Sequence, residues 1–313
     1  MSIPSRIKFM MAFPETSQPL HEFWMCVADF MRSGDMLPDK LRLSQIAGHP
    51  EHMRSERGLS LSPEEVAHVI ADRRLDGFHV DTGYTNRSLD FNYTTLTDGS
   101  AAHFTHRVEP NTKAPDDWSA LIAKLLSRWP SIGAWQYFNP YQAWQWANVK
   151  YDSYDSMFGA FPPSYRTFTD LDYDEKTSVG PPRIFIDISK NPGRPRSLRP
   201  DIRFSPINFF PTAEMWLGPH FWQYAKCTKE EALASDFFIE KRDTPHYLYL
   251  KCWPEAFTRP DGEQGRMQQR LWKLLFHEDC EWPPGSGTIC DEPMYGPPEL
   301  MPAEADQKSK IVT

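Results

Sequence analysis

The stretch SDFFIEKRDTPHYLYLKCWPEAFTRPDGEQGRMQQRLWKLLFHE, residues Ser235–Glu278, sets the expectation for the fold. Its first part alternates like a strand. Phe237, Ile239 and Lys241 fall on one side of an extended chain, and Phe238, Glu240 and Arg242 on the other. Asp243-Thr244-Pro245 interrupts the run with turn chemistry. Tyr247, Tyr249 and Lys251 then alternate with Leu248, Leu250 and Cys252, which reads as a returning strand. Beyond a loop containing Pro and Gly, Met267, Leu271, Leu274 and Leu275 recur at helical spacing. The order is strand, strand, helix.

The same order occurs upstream. Arg87–Leu96 alternates Leu89, Phe91 and Tyr93 with Asp90, Asn92 and Thr94. Asp98-Gly99 is a strong hairpin signal, because both central residues of a type I′ turn need positive φ. Ala101–Val108 returns, and Asp116–Trp129 comes next with Trp118, Leu121, Ile122, Leu125, Leu126 and Trp129 on one helical stripe. Two ββα units are the result, each laying a helix on one face of a small antiparallel sheet. The expected class is therefore α+β in two lobes. The expected division is an N-terminal lobe over 1–140, an aromatic and acidic inter-lobe segment over 141–182, a C-terminal lobe over 183–290, and a mobile tail over 291–313.

A chain of 313 residues, 40% hydrophobic and 14% aromatic, has ample material for a core. Its 34 basic and 42 acidic residues leave a net charge of −8, against the basic footprint of a general nucleic-acid binder. The N-terminal MSIPSRIKFMMAF lacks the apolar region of a signal peptide, and no apolar run of membrane-spanning length occurs. A soluble cytoplasmic protein is the expectation, with no membrane partner. The five cysteines (26, 227, 252, 280, 290) are odd in number, scattered and without a CxxC pair, so they read as free thiols.

The remaining elements are read from local signals. Arg6–Phe13 reads as a strand ended by Pro14. Pro19 opens a helix whose apolar stripe is Leu20, Phe23, Trp24, Val27, Ala28 and Met31, with Gly34 to close it. Ser62-Pro63-Glu64-Glu65 is a capping box before a short helix, and Thr228 with Glu231 is a second. Gly133–Phe138 and Arg183–Ile188 read as strands, and Ile207–Leu217 as extended. Gly218-Pro219 reads as the start of a short helix to Ala225, and Asn191–Pro200 as a basic, proline-rich loop.

No constellation with a chemical mechanism emerges from local spacing. His103 and His106, three apart on a strand, face opposite sides and cannot share a metal unaided. Asp170, Asp172 and Asp174 resemble the start of a calcium loop, but its sixth position is Glu175 and its twelfth Pro181. The phosphate-binding, zinc-hydrolase and serine-nucleophile motifs do not occur. No catalytic residue, no metal ligand and no cofactor are therefore expected, and the chain is not expected to be an enzyme. The tract 139–182 stands apart, because it interleaves tyrosines and other aromatics with acidic residues. Aromatic packing between lobes would explain it. A partner-binding surface would explain it too, since Tyr and Trp dominate interface hot spots and acids steer a cationic partner. The partner-binding residues are expected to be Tyr151, Asp152, Tyr154, Asp155, Asp170, Asp172, Asp174 and Glu175.

The chain resembles the immunity proteins of bacterial polymorphic-toxin systems. More narrowly, it resembles the type VI secretion family, including TsiT, that is paired with restriction-endonuclease-like DNase toxins. The residues that carry the likeness are the opening Met1-Ser-Ile-Pro with its strand–helix start, Gly133-Ala-Trp-Gln-Tyr-Phe138, Met215-Trp-Leu-Gly-Pro-His-Phe-Trp-Gln-Tyr-Ala225, and the closing ββα unit. These are packing motifs spread over most of the chain, and 139–182 is longer than the family pattern. The resemblance implies an α+β fold, a cytoplasmic location and a cognate nuclease toxin as protein partner, neutralised by occlusion or by disrupting its assembly. Two other classes stay open: an enzyme with a site assembled from dispersed residues, and an adaptor or chaperone for secretion cargo.

Overall fold

The computed structural model describes residues 7–12, 20–33, 39, 41–44, 59–71, 77–81, 89–96, 99–108, 118–138, 141–142, 145, 167–169, 184–186, 192–193, 196–197 and 208–276. Ten strands form one sheet in which every pairing is antiparallel. They are β1 (Ile7–Ala12), β2 (Leu41–Ser44), β3 (Leu59–Leu61), β4 (Gly77–Asp81), β5 (Leu89–Leu96), β6 (Gly99–Val108), β7 (Gly133–Phe138), β12 (Glu214–Leu217), β13 (Glu240–Asp243) and β14 (Leu248–Lys251). Their order is β13-β14-β12-β7-β1-β6-β5-β4-β2-β3. The remaining strands make two small pairs: β8 (Thr167–Thr169) with β9 (Ile184–Ile186), and β10 (Arg196–Ser197) with β11 (Asn208–Phe209). The helices are α1 (Leu20–Ser33), α2 (Pro63–Ala71), α3 (Trp118–Arg128), α4 (Lys229–Ala234) and α5 (Gly262–Leu275).

The α+β class holds, but the division into two small sheets does not. β5–β6 and β13–β14, the two hairpins read from the sequence, are strands of the same sheet. A single register row crosses all ten strands: Arg242, Tyr249, Trp216, Ala134, Met11, Phe104, Phe91, Val80, Leu43 and Leu59. All of these positions except Arg242 are apolar or aromatic, so pairing in this register gives one continuous face for helices to cover. β12 and β7 supply the link, by bringing residues distant in sequence between the hairpins.

The chain separates into two compact units. One comprises Met1–Asn139, Glu214–Tyr224 and Thr228–Cys252, and contains the whole ten-stranded sheet. The other comprises Pro140–Ala213, Ala225–Cys227 and Trp253–Thr313. The expected C-terminal lobe over 183–290 is thus divided: hairpin β13–β14 belongs to the first unit, and α5 to the second. The tail over 291–313 and most of 141–182 lie outside the described residues.

In the first unit, α1, α2 and α3 pack against described residues of this face. Phe23, Trp24, Val27, Ala28 and Met31 from α1 share a buried cluster with Val66 and Ile70 from α2 and Leu121, Ile122, Leu125 and Leu126 from α3. Leu41, Ala134, Trp216 and Tyr249 are the sheet's buried contribution to that cluster. The described residues of the stripes read on α1 and α3 are therefore buried together, as 3.6-residue periodicity requires. The Trp24 indole donates to the Pro63 carbonyl at 2.9 Å, tying α1 to the start of α2. Phe23 and Trp129 meet edge to face, with ring centroids 5.5 Å apart.

Both capping boxes form. Ser62 Oγ accepts from Glu65 N at 3.2 Å, while Ser62 N donates to the Glu65 carboxylate at 2.6 Å. Thr228 and Glu231 repeat the arrangement at 3.2 and 2.8 Å. Three local readings need correction. Leu96 pairs with Gly99, so Gly99 already belongs to β6 and is not a central turn residue. β13 begins at Glu240, because Asp236 and Phe237 lie in a turn, with the Phe237 ring 4.5 Å from that of Phe238. Residues 218–224 form turns with i→i+3 bonds, Phe221 N to Gly218 O and Tyr224 N to Phe221 O, rather than an α-helix.

Candidate interaction surface

The β13–β14 hairpin forms one edge of the large sheet. Glu240, Lys241, Arg242 and Asp243 are all exposed, so this edge is charged along its length. Charge on an edge strand opposes unspecific strand addition by other chains. The turn is fastened by Thr244, whose hydroxyl accepts from Tyr247 N at 2.9 Å and donates to Tyr247 O at 2.7 Å. Lys241 Nζ donates to the carbonyls of Leu233 and Ser235, at 2.6 and 3.0 Å, and so binds the C-terminal end of α4 to the edge. Ile239, just before the strand, is 61% exposed, and is the exposed large hydrophobic among the described residues. One such side chain is ordinary on a protein surface and does not make a patch.

Behind this edge lies a three-strand staple. The Arg242 guanidinium sits 4.2 Å over the Tyr249 ring, and the Tyr249 hydroxyl donates to the Glu214 carboxylate at 2.7 Å. Burial, then the hydrogen bond and charge of Glu214, then the charge of Glu240 push the Tyr249 hydroxyl well above its usual range, and Arg242 opposes them. The phenol therefore stays neutral and works as a donor. Its partners come from positions 214 and 242, so no local spacing in the sequence announces them.

The second unit contains a buried glutamine clamp. Gly193 N donates to Gln145 Oε1 at 3.0 Å, and the Gly193 carbonyl accepts from Gln142 Nε2 at 2.6 Å. Gln268 accepts from the Tyr141 hydroxyl at 3.1 Å and donates to the Arg259 and Gln264 carbonyls. A Cβ at position 193 would lie 2.5 Å from Gln268 Oε1, which explains the glycine. The clamp holds Gly193, and Arg196 and Ser197 pair with β11. Sequence reading missed the glutamines, which make these bonds across separations of 48 to 127 residues.

All eight residues expected to contact a partner, Tyr151, Asp152, Tyr154, Asp155, Asp170, Asp172, Asp174 and Glu175, lie outside the described residues. Of the strand read over Arg183–Ile188, Ile184–Ile186 form β9, and residues 183, 187 and 188 lie outside the described residues. Cys26 and Cys252 are buried and Cys227 is partly buried, and none of the three is in a disulfide. Burial pushes the Cys252 thiol up to about 12, which makes it inert as a nucleophile near neutrality. Among the residues whose side chains are described, no group of three His, Cys, Asp or Glu could hold a metal ion. No described helix is long and apolar enough to cross a membrane.

No protein-family model and no curated protein matches the chain. Among solved structures, it is similar to a Pseudomonas aeruginosa T6SS protein, PA0821, with a TM-score of 0.48 and 11% sequence identity. The likeness covers 97% of this chain and 81% of that one. At that level it carries no functional argument.

Proposed function

We propose that the chain is an immunity protein, which binds a cognate secreted nuclease toxin and neutralises it by occlusion. The observation that carries this reading is the placement of charge in the sequence. Residues 151–175 hold six acids, Asp152, Asp155, Asp170, Asp172, Asp174 and Glu175, against the single base Arg166. That leaves −5 of the net −8 in one aromatic-rich tract. DNases are basic where they hold phosphate, so an acidic surface with tyrosine anchors is complementary to one. The family resemblance of the packing motifs agrees with this reading.

Acids and tyrosines divide the task physically. Acids at the rim speed association and make it salt-sensitive, because exposed charges are screened within about 10 Å at 0.1 M salt. Tyrosine anchors hold the complex and set its dissociation rate, with truncation of a hot spot costing about 2 kcal/mol or more. The test is co-expression with the toxin encoded beside the gene, and then a nuclease assay and binding kinetics at two salt concentrations. A stable complex that abolishes cleavage is expected. The Asp170→Asn, Asp172→Asn, Asp174→Asn triple variant should associate more slowly at low salt, and Tyr151→Ala and Tyr154→Ala should dissociate faster. Absence of both a complex and protection overturns the immunity reading. Wild-type kinetics in all three variants overturns the tract as its surface.

A further inference from the structure

Strand β13 ends the large sheet, so one side of its backbone has no neighbouring strand among the described residues. The pairing with β14 fixes which residues face that side. Thr244 N donates to Tyr247 O at 3.1 Å, which makes these two a bonded pair at the turn. Bonded pairs alternate along an antiparallel ladder, so Arg242 with Tyr249 and Glu240 with Lys251 are the next two. The backbone N–H and C=O groups of Lys241 and Asp243 therefore point outward. This open run is bounded at both ends. Pro245 closes it beyond Thr244, because proline has no N–H. At the other end, Ile239 N donates to Lys251 O at 2.8 Å, although Lys251 is the register partner of Glu240. Two residues thus oppose one, in a β-bulge that ends the run before Glu240.

We infer that Arg242 guards this edge against pairing with a second copy of the chain. Two identical edges meet antiparallel about a two-fold axis, with outward-facing residues opposite each other. The register that pairs all of residues 240–244 sets Lys241 opposite the partner's Asp243, and Asp243 opposite the partner's Lys241. These pairs are complementary in charge. The same register places Arg242 on the axis, opposite its own copy. Moving the axis to Lys241 or to Asp243 brings the bulge at Ile239 or Pro245 into the ladder, and again sets a charge opposite itself. The two Arg242 positions would form a non-hydrogen-bonded pair, with Cα atoms about 4.5 Å apart. Like charges directly opposite destabilise a sheet. The guanidinium is positioned for this role. It lies 4.2 Å over the Tyr249 ring, its Nε donates to Glu240 at 3.1 Å, and at 53% side-chain exposure it is within reach of a copy. A residue on a two-fold axis meets itself, so reversing its charge keeps the repulsion and only removing the charge relieves it.

The test uses the full chain. Sedimentation velocity over a concentration series measures self-association, and amide hydrogen exchange reads Lys241 and Asp243 directly. In the wild type both amides should exchange fast at every concentration. Arg242→Thr should self-associate about tenfold more strongly, because a destabilising cross-strand pair gives way to a favourable Thr–Thr pair. Its Lys241 and Asp243 amides should slow as concentration rises. Arg242→Glu and Arg242→Lys should both behave like the wild type. Far-UV dichroism and melting establish that each variant is folded, and Arg242→Gln takes the place of Arg242→Thr should that variant fail to fold. Self-association of the neutral variant no stronger than that of the wild type overturns the guard. So does equal association of Arg242→Glu and the neutral variant, which would mean that charge is not the obstacle. Concentration-dependent protection of the two amides in the wild type, or stronger association of the neutral variant without that protection, also overturns it. The test needs no toxin, so its outcome is separate from that of the immunity reading.

Discussion

Hairpins β5–β6 and β13–β14 share one sheet, but the helices that come after them go to different places. After β6, helix α3 packs into the same cluster as α1, α2 and the buried faces of β7, β12 and β14. After β14, the chain leaves at Trp253, and α5 belongs to the other compact unit. Two stretches with the same order of elements therefore play different roles. The first keeps its hairpin and its helix in one compact unit. The second lends its hairpin to that sheet and its helix elsewhere. A repeated order of elements is a statement about local structure, and the partner that buries each apolar face is chosen by the rest of the chain.

The largest effect that could break this comparison is expected at Trp216. It sits in the register row between the hairpins, is 1% exposed, and meets the Tyr249 ring at a tilt, with centroids 5.2 Å apart. Trp216→Ala should cost about 3–5 kcal/mol in chemical denaturation. Hydrogen exchange should show loss of protection in β13–β14 and in β7 together. If the β13–β14 amides keep wild-type protection, the hairpin does not depend on this row.

Gly218 and Gly193 sharpen the contrast between the two units. A Cβ at Gly218 would lie 2.1 Å from the Ser131 carbonyl oxygen, which is backbone. At Gly193 the obstacle is the end of the Gln268 side chain. Gly218→Ala should cost about 3 kcal/mol, and Gly193→Ala nearer 1 kcal/mol, across the usual range for overpacking. Urea titration of both variants measures the difference, and a larger loss at Gly193 would reverse the assignment of the stiffer site.

The capping boxes come next. Ser62→Ala and Thr228→Ala each remove one side-chain acceptor at a helix start, and each should cost about 1 kcal/mol. A negligible cost for Thr228→Ala in thermal melting would mean that α4, only six residues long, adds nothing to holding the β13 edge.

The smallest effect is expected in alkali. The folded state keeps the Cys252 proton up to about 12, against 9.0 for an ordinary thiol. Above about pH 9 unfolding therefore releases a proton, and stability present below that pH is lost as pH rises towards 12. The raised Tyr249 acts in the same direction at higher pH. Cys252→Ala should flatten the fall in melting temperature between about pH 8.5 and 10.5. An unchanged slope would place the alkaline sensitivity elsewhere.

What the sequence determined by itself was local. The stripe of α1, the stripe of α3, both capping boxes and the span of β7 were legible, because each depends on neighbours within a few residues. The acidic, tyrosine-rich character of 151–175 was legible for the same reason. Tertiary structure alone decided that β14 lies beside β12, β12 beside β7 and β7 beside β1, in pairings as distant along the chain as Ile7 with Phe138. It alone brought Glu214 to Tyr249 and Gln145 to Gly193. Strand pairing is backbone hydrogen bonding, which every non-proline residue can make, so composition does not encode which strands will meet. That choice is settled by which arrangement gives a continuous apolar face for the helices, a property of ten strands together and of no single stretch.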